Sequence, residues 1–194
     1  MRADIVVHPF GEIEENVVEA VRQAIERCFH LRATAGERKR VPDNSYVQMR
    51  RQYRSNAFLT ELSNGSSDGR IRLGIADVDL FVPELNFLFG EASRQRGAAV
   101  FSLARLDPRF YGEPADHEKL MRRAIAEAIH ELGHVLGLGH CERPDCVMWF
   151  SNTLAETDRK GSEFCRSCAE RIDCQRREPS HLSSASPKPA VICE

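Results

Sequence analysis

Residues 116–148 read DHEKLMRRAIAEAIHELGHVLGLGHCERPDCVM, and the spacing of side chains in this stretch decides both architecture and chemistry. On a helical wheel of about 100° per residue, Met121, Ile125, Ala128, Ile129, Leu132, Val135 and Leu136 gather on one arc, the stripe of a core-facing helix. His130 and His134 fall about 40° apart on the opposite side, beside Arg123 and Glu127. A core histidine satisfied by one hydrogen bond would sit on the apolar arc, so the wheel directs both imidazoles to a cleft or to solvent. Glu127, one turn before Glu131, reads as a solvated side chain; the other reading makes it a partner of the active groups.

His130, Glu131 and His134 form HExxH, in which imidazoles at i and i+4 share one metal ion and the intervening glutamate reaches a water on that metal. Gly137 and His140 extend the pattern to HExxHxxGxxH. A glycine at that point ends the helix in a left-handed conformation and turns the chain back, so that a third imidazole can join the first two. His130, His134 and His140 are the expected zinc ligands. Three protein ligands leave a fourth position open, the arrangement of a catalytic zinc. Zinc lowers the pKa of bound water to about 7 and polarises a carbonyl. Glu131 would accept the water proton and pass it to the leaving amine, which is amide hydrolysis without a covalent intermediate.

Directly after His140 come Cys141 and Cys146, then Cys165 and Cys168, two pairs of thiols separated by a mid-length loop. This spacing reads as a closed, structural zinc site, which brings the expected content to two zinc ions per chain. A redox CxxC and a pair of disulfides are the competing readings. Cys174 could replace one ligand, and Cys193 is the least suited of the thiols.

The 194 residues and net charge of −2 suit one soluble domain and give no global pull toward nucleic acid or anionic lipid. No apolar run is long enough to span a membrane. The N-terminus shows no small-residue cleavage site, so a cytoplasmic, reducing setting is expected, and seven cysteines are an odd number for closed disulfide pairing. A monomer is expected. Asp4 to His8 reads as a buried strand and residues 13–30 as an amphipathic helix with Cys28 in the core. A second helix is expected over about 45–62, a turn at Asn64 to Gly69, and strands at 71–82, 85–89 and 98–103, with the polar stretch 91–96 between the last two. Beyond Arg176 the Ser- and Pro-rich sequence reads as a disordered tail. The basic residues Arg38, Lys39, Arg40, Arg50, Arg51 and Arg54 read as a solvated face, and Asp77 and Asp79 as turn or salt-bridge residues.

HELGHVLGLGHCERPDCVM followed by CRSC resembles the archaemetzincins, zinc peptidases related to the metzincin clan. Sixteen residues separate Met148 from Cys165, one fewer than the family pattern has. The resemblance covers about Asp4 to Ile172. It implies a catalytic zinc on His130, His134 and His140, Glu131 as general base, and a structural zinc on Cys141, Cys146, Cys165 and Cys168. It further implies Met148 as a hydrophobic floor beneath the catalytic zinc, and an edge strand in the region GIADVDLFVPELNFLFGEA along which extended peptides bind.

The expected fold is therefore α/β: one domain over residues 1–176 with a twisted, mostly parallel sheet, one antiparallel edge strand and a zinc-binding helix on the cleft floor. Residues 141–172 form its thiol-stabilised part and 177–194 the tail. Two functions compete. One is a zinc peptidase acting on peptides or unfolded protein; the other is a non-catalytic, zinc-stabilised module that binds protein or nucleic acid. Glu131 favours the first, since a binding module has no use for a carboxylate beside the metal.

Overall fold

The computed structural model describes residues 4–64 and 68–177. In chain order its elements are β1 (Ile5–Phe10), α1 (Glu15–Phe29), β2 (Ala33–Ala35), β3 (Tyr46–Val47), β4 (Gln52–Arg54), α2 (Ser55–Ser63), β5 (Ile71–Ala76), β6 (Leu80–Phe81), β7 (Gly90–Ser93), β8 (Ala98–Ser102), α3 (His117–Val135), α4 (Leu154–Arg159) and α5 (Arg166–Arg177). Short 3₁₀ turns occupy Asp43–Ser45 and Pro108–Tyr111.

The β-branched run at the start forms β1, buried along its whole length. A strand buried on both faces belongs inside a sheet covered by helices. β1 pairs in parallel with β2 and β5, β5 with β8, and β7 closes the edge antiparallel to β8, in the order β2-β1-β5-β8-β7. The mostly parallel sheet with one antiparallel edge is the expected one. The stripe of α1, with Val17, Val21, Ile25 and Phe29 buried, joins Ala124, Ala128, Ile129 and Leu132 of α3 on one face of the sheet. Phe58, Leu59 and Leu62 of α2 fill the other face against Phe10 and Val100. Each such wholly buried side chain contributes about 1.5–3 kcal/mol through removal of apolar surface from water.

Two elements depart from the sequence reading. The helix expected from residue 45 begins only at Ser55, and its first half is a hairpin of β3 and β4 that joins β6 in a small second sheet. Long-range anchors override the local pattern there. Gln52 donates to Asp79 at 3.0 Å and to the Asn86 carbonyl at 2.8 Å. Arg50 donates to the Leu85 carbonyl and lies over the Phe81 ring. Arg51 takes a left-handed φ of 55° to turn the chain.

The second departure is at the edge. Residues 85–89 do not form a strand; Leu88 makes one bridge to Leu80, and the strand is β7, inside the stretch read as polar spacer. Gly-Glu-Ala-Ser has little strand propensity, and its pairing comes from the well-formed β8 beside it.

α5 carries the chain through Arg177; residues 178–194, the expected tail, lie outside the described residues, as do residues 65–67 of the expected turn. No helix among the described residues is long and apolar enough to cross a membrane. Asp79 and Arg105 form a two-pronged salt bridge and Asp77 accepts from the Glu12 amide, as read. Two of the basic residues have local partners: Arg38 donates to the Gly11 and Ile13 carbonyls, and Lys39 pairs with Glu37 and Glu61.

Candidate active site

Asp116 caps α3 by accepting the Lys119 amide at 2.8 Å, fixing where the helix begins and so which residues face the sheet. The opposite face is not solvated. Arg123, Glu127, His130 and Glu131 are all buried, which corrects the reading of Glu127 as a surface residue. Arg123 and Glu127 are covered by α4 and the residue after it. Arg123 grips Asp158 with two hydrogen bonds of 2.6 Å and donates a third to the Leu106 carbonyl. Lys160 holds Glu127 at 2.8 Å. Thr153 and Glu156 cap α4 reciprocally, so the short helix that delivers Asp158 and Lys160 has a defined start. The sequence reading names neither Lys160 nor Asp158; the available signal was Glu127 on the histidine face, one turn before Glu131.

Gly137 ends α3 with φ of 94°. The Leu138 amide returns to the Gly133 carbonyl at 2.9 Å and the Gly137 amide to the His134 carbonyl at 2.9 Å. This left-handed stop suits a residue without Cβ and sends the chain back over the helix. It also carries the Leu138 carbonyl to His134 Nδ1, at 2.8 Å, while the Val147 carbonyl lies 2.7 Å from His130 Nδ1. A carbonyl only accepts, so both rings carry the proton on Nδ1 and expose the lone pair of Nε2. The two Nε2 atoms face one another at 3.1 Å. Two lone pairs at that distance repel unless a cation lies between them. Two nitrogens bound tetrahedrally to one zinc at about 2.0–2.1 Å would be about 3.3 Å apart. The His140 ring completes the group, 5.3 Å from that of His130 and 4.9 Å from that of His134. One ligand atom from each of the three lies within 4.8 Å of the others. Burial lowers the proton affinity of all three rings, that of His140 to a pKa of about 4, keeping them in the neutral form a metal requires.

Glu131 points from the same helix toward β7. A Cβ on Gly90 would stand 2.6 Å from Glu131 Oε1, so the edge strand makes room for this carboxylate by having no side chain there. Burial raises the proton affinity of Glu131 well above the ordinary glutamate range; Glu127 adds to the effect and Lys160 opposes it. Met148 is fully buried beneath the histidine helix, its sulfur 2.5 Å from where a Gly133 Cβ would be. Gly90 and Gly133 are thus further residues that shape the site, neither singled out in the sequence reading.

The four thiols converge as a separate group. One Sγ from each of Cys141, Cys146, Cys165 and Cys168 lies within 4.8 Å of the others, with Cys141 and Cys165 at 3.8 Å. Four sulfurs at about 2.3 Å on a tetrahedral zinc would be about 3.8 Å apart. The Cys168 amide holds the Cys165 thiol down at a pKa of about 7, while burial pushes Cys146 and Cys168 up. Cys174 is exposed on α5 outside this group, Cys28 is a half-buried thiol packed against the core and raised to about 12 by burial, and Cys193 lies outside the described residues.

Residues 8–174 match Peptidase family M54. The chain is similar to the archaemetzincin of Pyrococcus furiosus, 40% identical over 181 residues that cover 89% of this chain and 94% of the relative. It is 47% identical to the archaemetzincin of Pyrococcus horikoshii over 126 residues, 64% of this chain and 67% of that one. Its fold is similar to the crystal structure of archaemetzincin from Methanopyrus kandleri, with a TM-score of 0.80 and 32% identity over 91% of this chain and 97% of the other. It is also similar to a zinc-dependent peptidase from Methanocorpusculum labreanum, with a TM-score of 0.79 and 26% identity over 87% and 99% of the two chains. The chain therefore belongs to Peptidase family M54, the archaemetzincin family of zinc metallopeptidases.

Proposed function

We propose that this chain hydrolyses peptide bonds with Glu131 as general base and His130, His134 and His140 as the ligands of a catalytic zinc. The observation that carries this reading is the pair of inward-facing Nε2 atoms, 3.1 Å apart, on the same helix as a buried carboxylate of raised proton affinity. When bound, zinc supplies Lewis-acid polarisation of the scissile carbonyl and acidifies water. The protein's own groups do the rest. Glu131 takes a proton from the attacking water at a carboxylate oxygen and returns it to the leaving nitrogen, a transfer helped by a proton affinity that burial raises above the ordinary glutamate range. The Val147 and Leu138 carbonyls keep the His130 and His134 rings in one tautomer and orientation. Among the described residues β7 pairs with β8 alone, so its outer side offers amides and carbonyls to an extended peptide, next to Gly90 and Glu131.

The thiols Cys141, Cys146, Cys165 and Cys168 form the proposed second, structural zinc site, and residues 1–176 one peptidase domain. The non-catalytic alternative gives no reason for Gly90 to make room for Glu131. The test is to incubate zinc-loaded wild type and Glu131→Ala with a diverse peptide library and read the products by mass spectrometry. New termini made by the wild type alone support the reading, and identical product sets overturn it.

A further inference from the structure

Beside the start of β7 lies a group of aromatic side chains that the proposed hydrolysis does not use. Phe87 and Phe89 meet edge to face at 5.3 Å and pack into the same core as α3, on the face of the sheet that carries Glu131. Arg105, from the loop after β8, lays its guanidinium 4.2 Å from the centre of the Phe87 ring and 4.7 Å from that of Phe110. Asp79 accepts from Nε and Nη2 along one edge of that guanidinium, at 2.7 and 2.8 Å, so its charge is compensated locally. Phe110 in turn meets the Tyr111 ring at 5.1 Å.

The outer end of this stack is open. Phe110 and Tyr111 are 45% and 47% exposed, two of four large apolar side chains among the described residues that are so exposed. Their turn is well fixed: Pro108 begins it, Asp107 accepts the Arg109 amide at 2.8 Å, and Gly112 with φ of 78° returns its amide to the Arg109 carbonyl. Adjacent rings held in place by such a turn lose little conformational freedom when covered, which is the property of a good contact residue. The two rings are inclined at 64°, and the group they begin reaches through Arg105 to the half-buried Phe87, three residues before Gly90, the residue against Glu131.

We propose that Phe110 and Tyr111, backed by Arg105 and Phe87, form a side-chain subsite of the cleft that takes an aromatic residue of an extended peptide substrate. The proposal rests on the peptidase reading for its occupant. Aromatic rings are the favoured partners because they complete edge-to-face contacts with both exposed rings, whereas a charged side chain would lose hydration there without gaining an ion pair.

The test measures binding, not turnover. Zinc-loaded, full-length Glu131→Gln protein is titrated into end-labelled nine-residue peptides of Gly, Ala and Ser, each carrying one Phe at a different position. One register is expected to bind roughly tenfold tighter than the peptide without Phe. Phe110→Ala and Tyr111→Ala should each erase that preference, and Phe110→Leu, which keeps an apolar side chain in the turn, should retain part of it. No preferred register, or a preference unchanged in both alanine variants, overturns the subsite. If wild type cleaves no peptide yet the preference exists and vanishes in Phe110→Ala, the peptidase reading falls and the subsite stands. Cleavage indifferent to Phe110 and Tyr111, together with no Phe preference in binding, removes the subsite alone.

Discussion

Lys160 holds Glu127 at 2.8 Å with 1% and 4% of their side chains exposed, one helical turn before the carboxylate of Glu131. Such a pair adds little over apolar packing, but removing one partner strands a charge in the interior. Lys160→Met is expected to cost about 3–5 kcal/mol of unfolding free energy, and the double variant with Glu127→Leu to recover most of it. Urea unfolding of wild type and the two variants decides this; equal losses in single and double would contradict it.

Glu131→Gln removes the base while keeping the shape of the side chain. The variant should bind as much zinc as wild type and hydrolyse peptides at least about a hundredfold more slowly. Metal content by elemental analysis and initial rates on one peptide check both halves. Loss of zinc with an intact fold would assign Glu131 to metal support.

Gly90→Ala places a Cβ 2.6 Å from Glu131 Oε1. The carboxylate is the far end of a flexible side chain and can be displaced, so the fold and zinc content should survive while the rate falls about tenfold or more, the penalty of a misplaced catalytic group. Wild-type turnover in this variant would show that Glu131 works from a different position.

The thiol and histidine groups should differ in what their loss does to the fold. The histidines sit on a helix already packed through Ala128, Ile129 and Leu132, so His134→Ala should abolish activity and leave cooperative unfolding. Metal binding to thiols that join separate segments is coupled to folding and can be worth about 10 kcal/mol or more. Cys165→Ser with Cys168→Ser should therefore expose residues 141–172 to hydrogen exchange. The fully metallated wild type should hold two zinc ions, unchanged by Cys174→Ser. Protection of 141–172 equal to that in His134→Ala, or a single zinc, would sink the two-site reading.

The Arg123 guanidinium holds the Asp158 carboxyl below its ordinary value. A carboxylate with a depressed affinity in the folded state stabilises above its unfolded pKa, and that stability is lost as pH falls through the folded value. Asp158 is partly exposed, so about 1 kcal/mol is expected from the contact at pH 7. Asp158→Asn should be less stable than wild type by about that amount at pH 7, and the gap should close below about pH 3.8, the ordinary value. A gap that persists in acid would point to packing.

The convergence of the three histidines and of the four thiols was legible because their spacing is local: i and i+4 on a helix, a glycine stop, and thiols in close pairs. The parallel sheet was legible from continuous apolar runs such as Ile5 to Val7. What escaped is held by distant partners. Lys160 is an ordinary-looking lysine until α4 folds over Glu127, Gly90 gains its meaning from a carboxylate 41 residues away, and the β3–β4 hairpin depends on Gln52 and Arg50 reaching the 85–86 carbonyls. Burial of the polar face of α3 escaped for the same reason, since a wheel records direction but not what arrives from residues 153–160.

The weak strand composition of β7 has a consequence for the protein in a crowded solution. An unpaired sheet edge is a template on which a second copy can add a strand, the first step toward irreversible self-association. Gly90, Glu91, Ala92 and Ser93 supply backbone groups but none of the β-branched or aromatic side chains that make two edges hold each other, and the half-buried Glu91 directs its carboxylate to Ser55 of α2. An edge of this kind grips a partner only when something else, such as the chemistry beside Glu131, holds that partner in place. Replacing Ala92 and Ser93 with valine would then lower the concentration at which the protein precipitates.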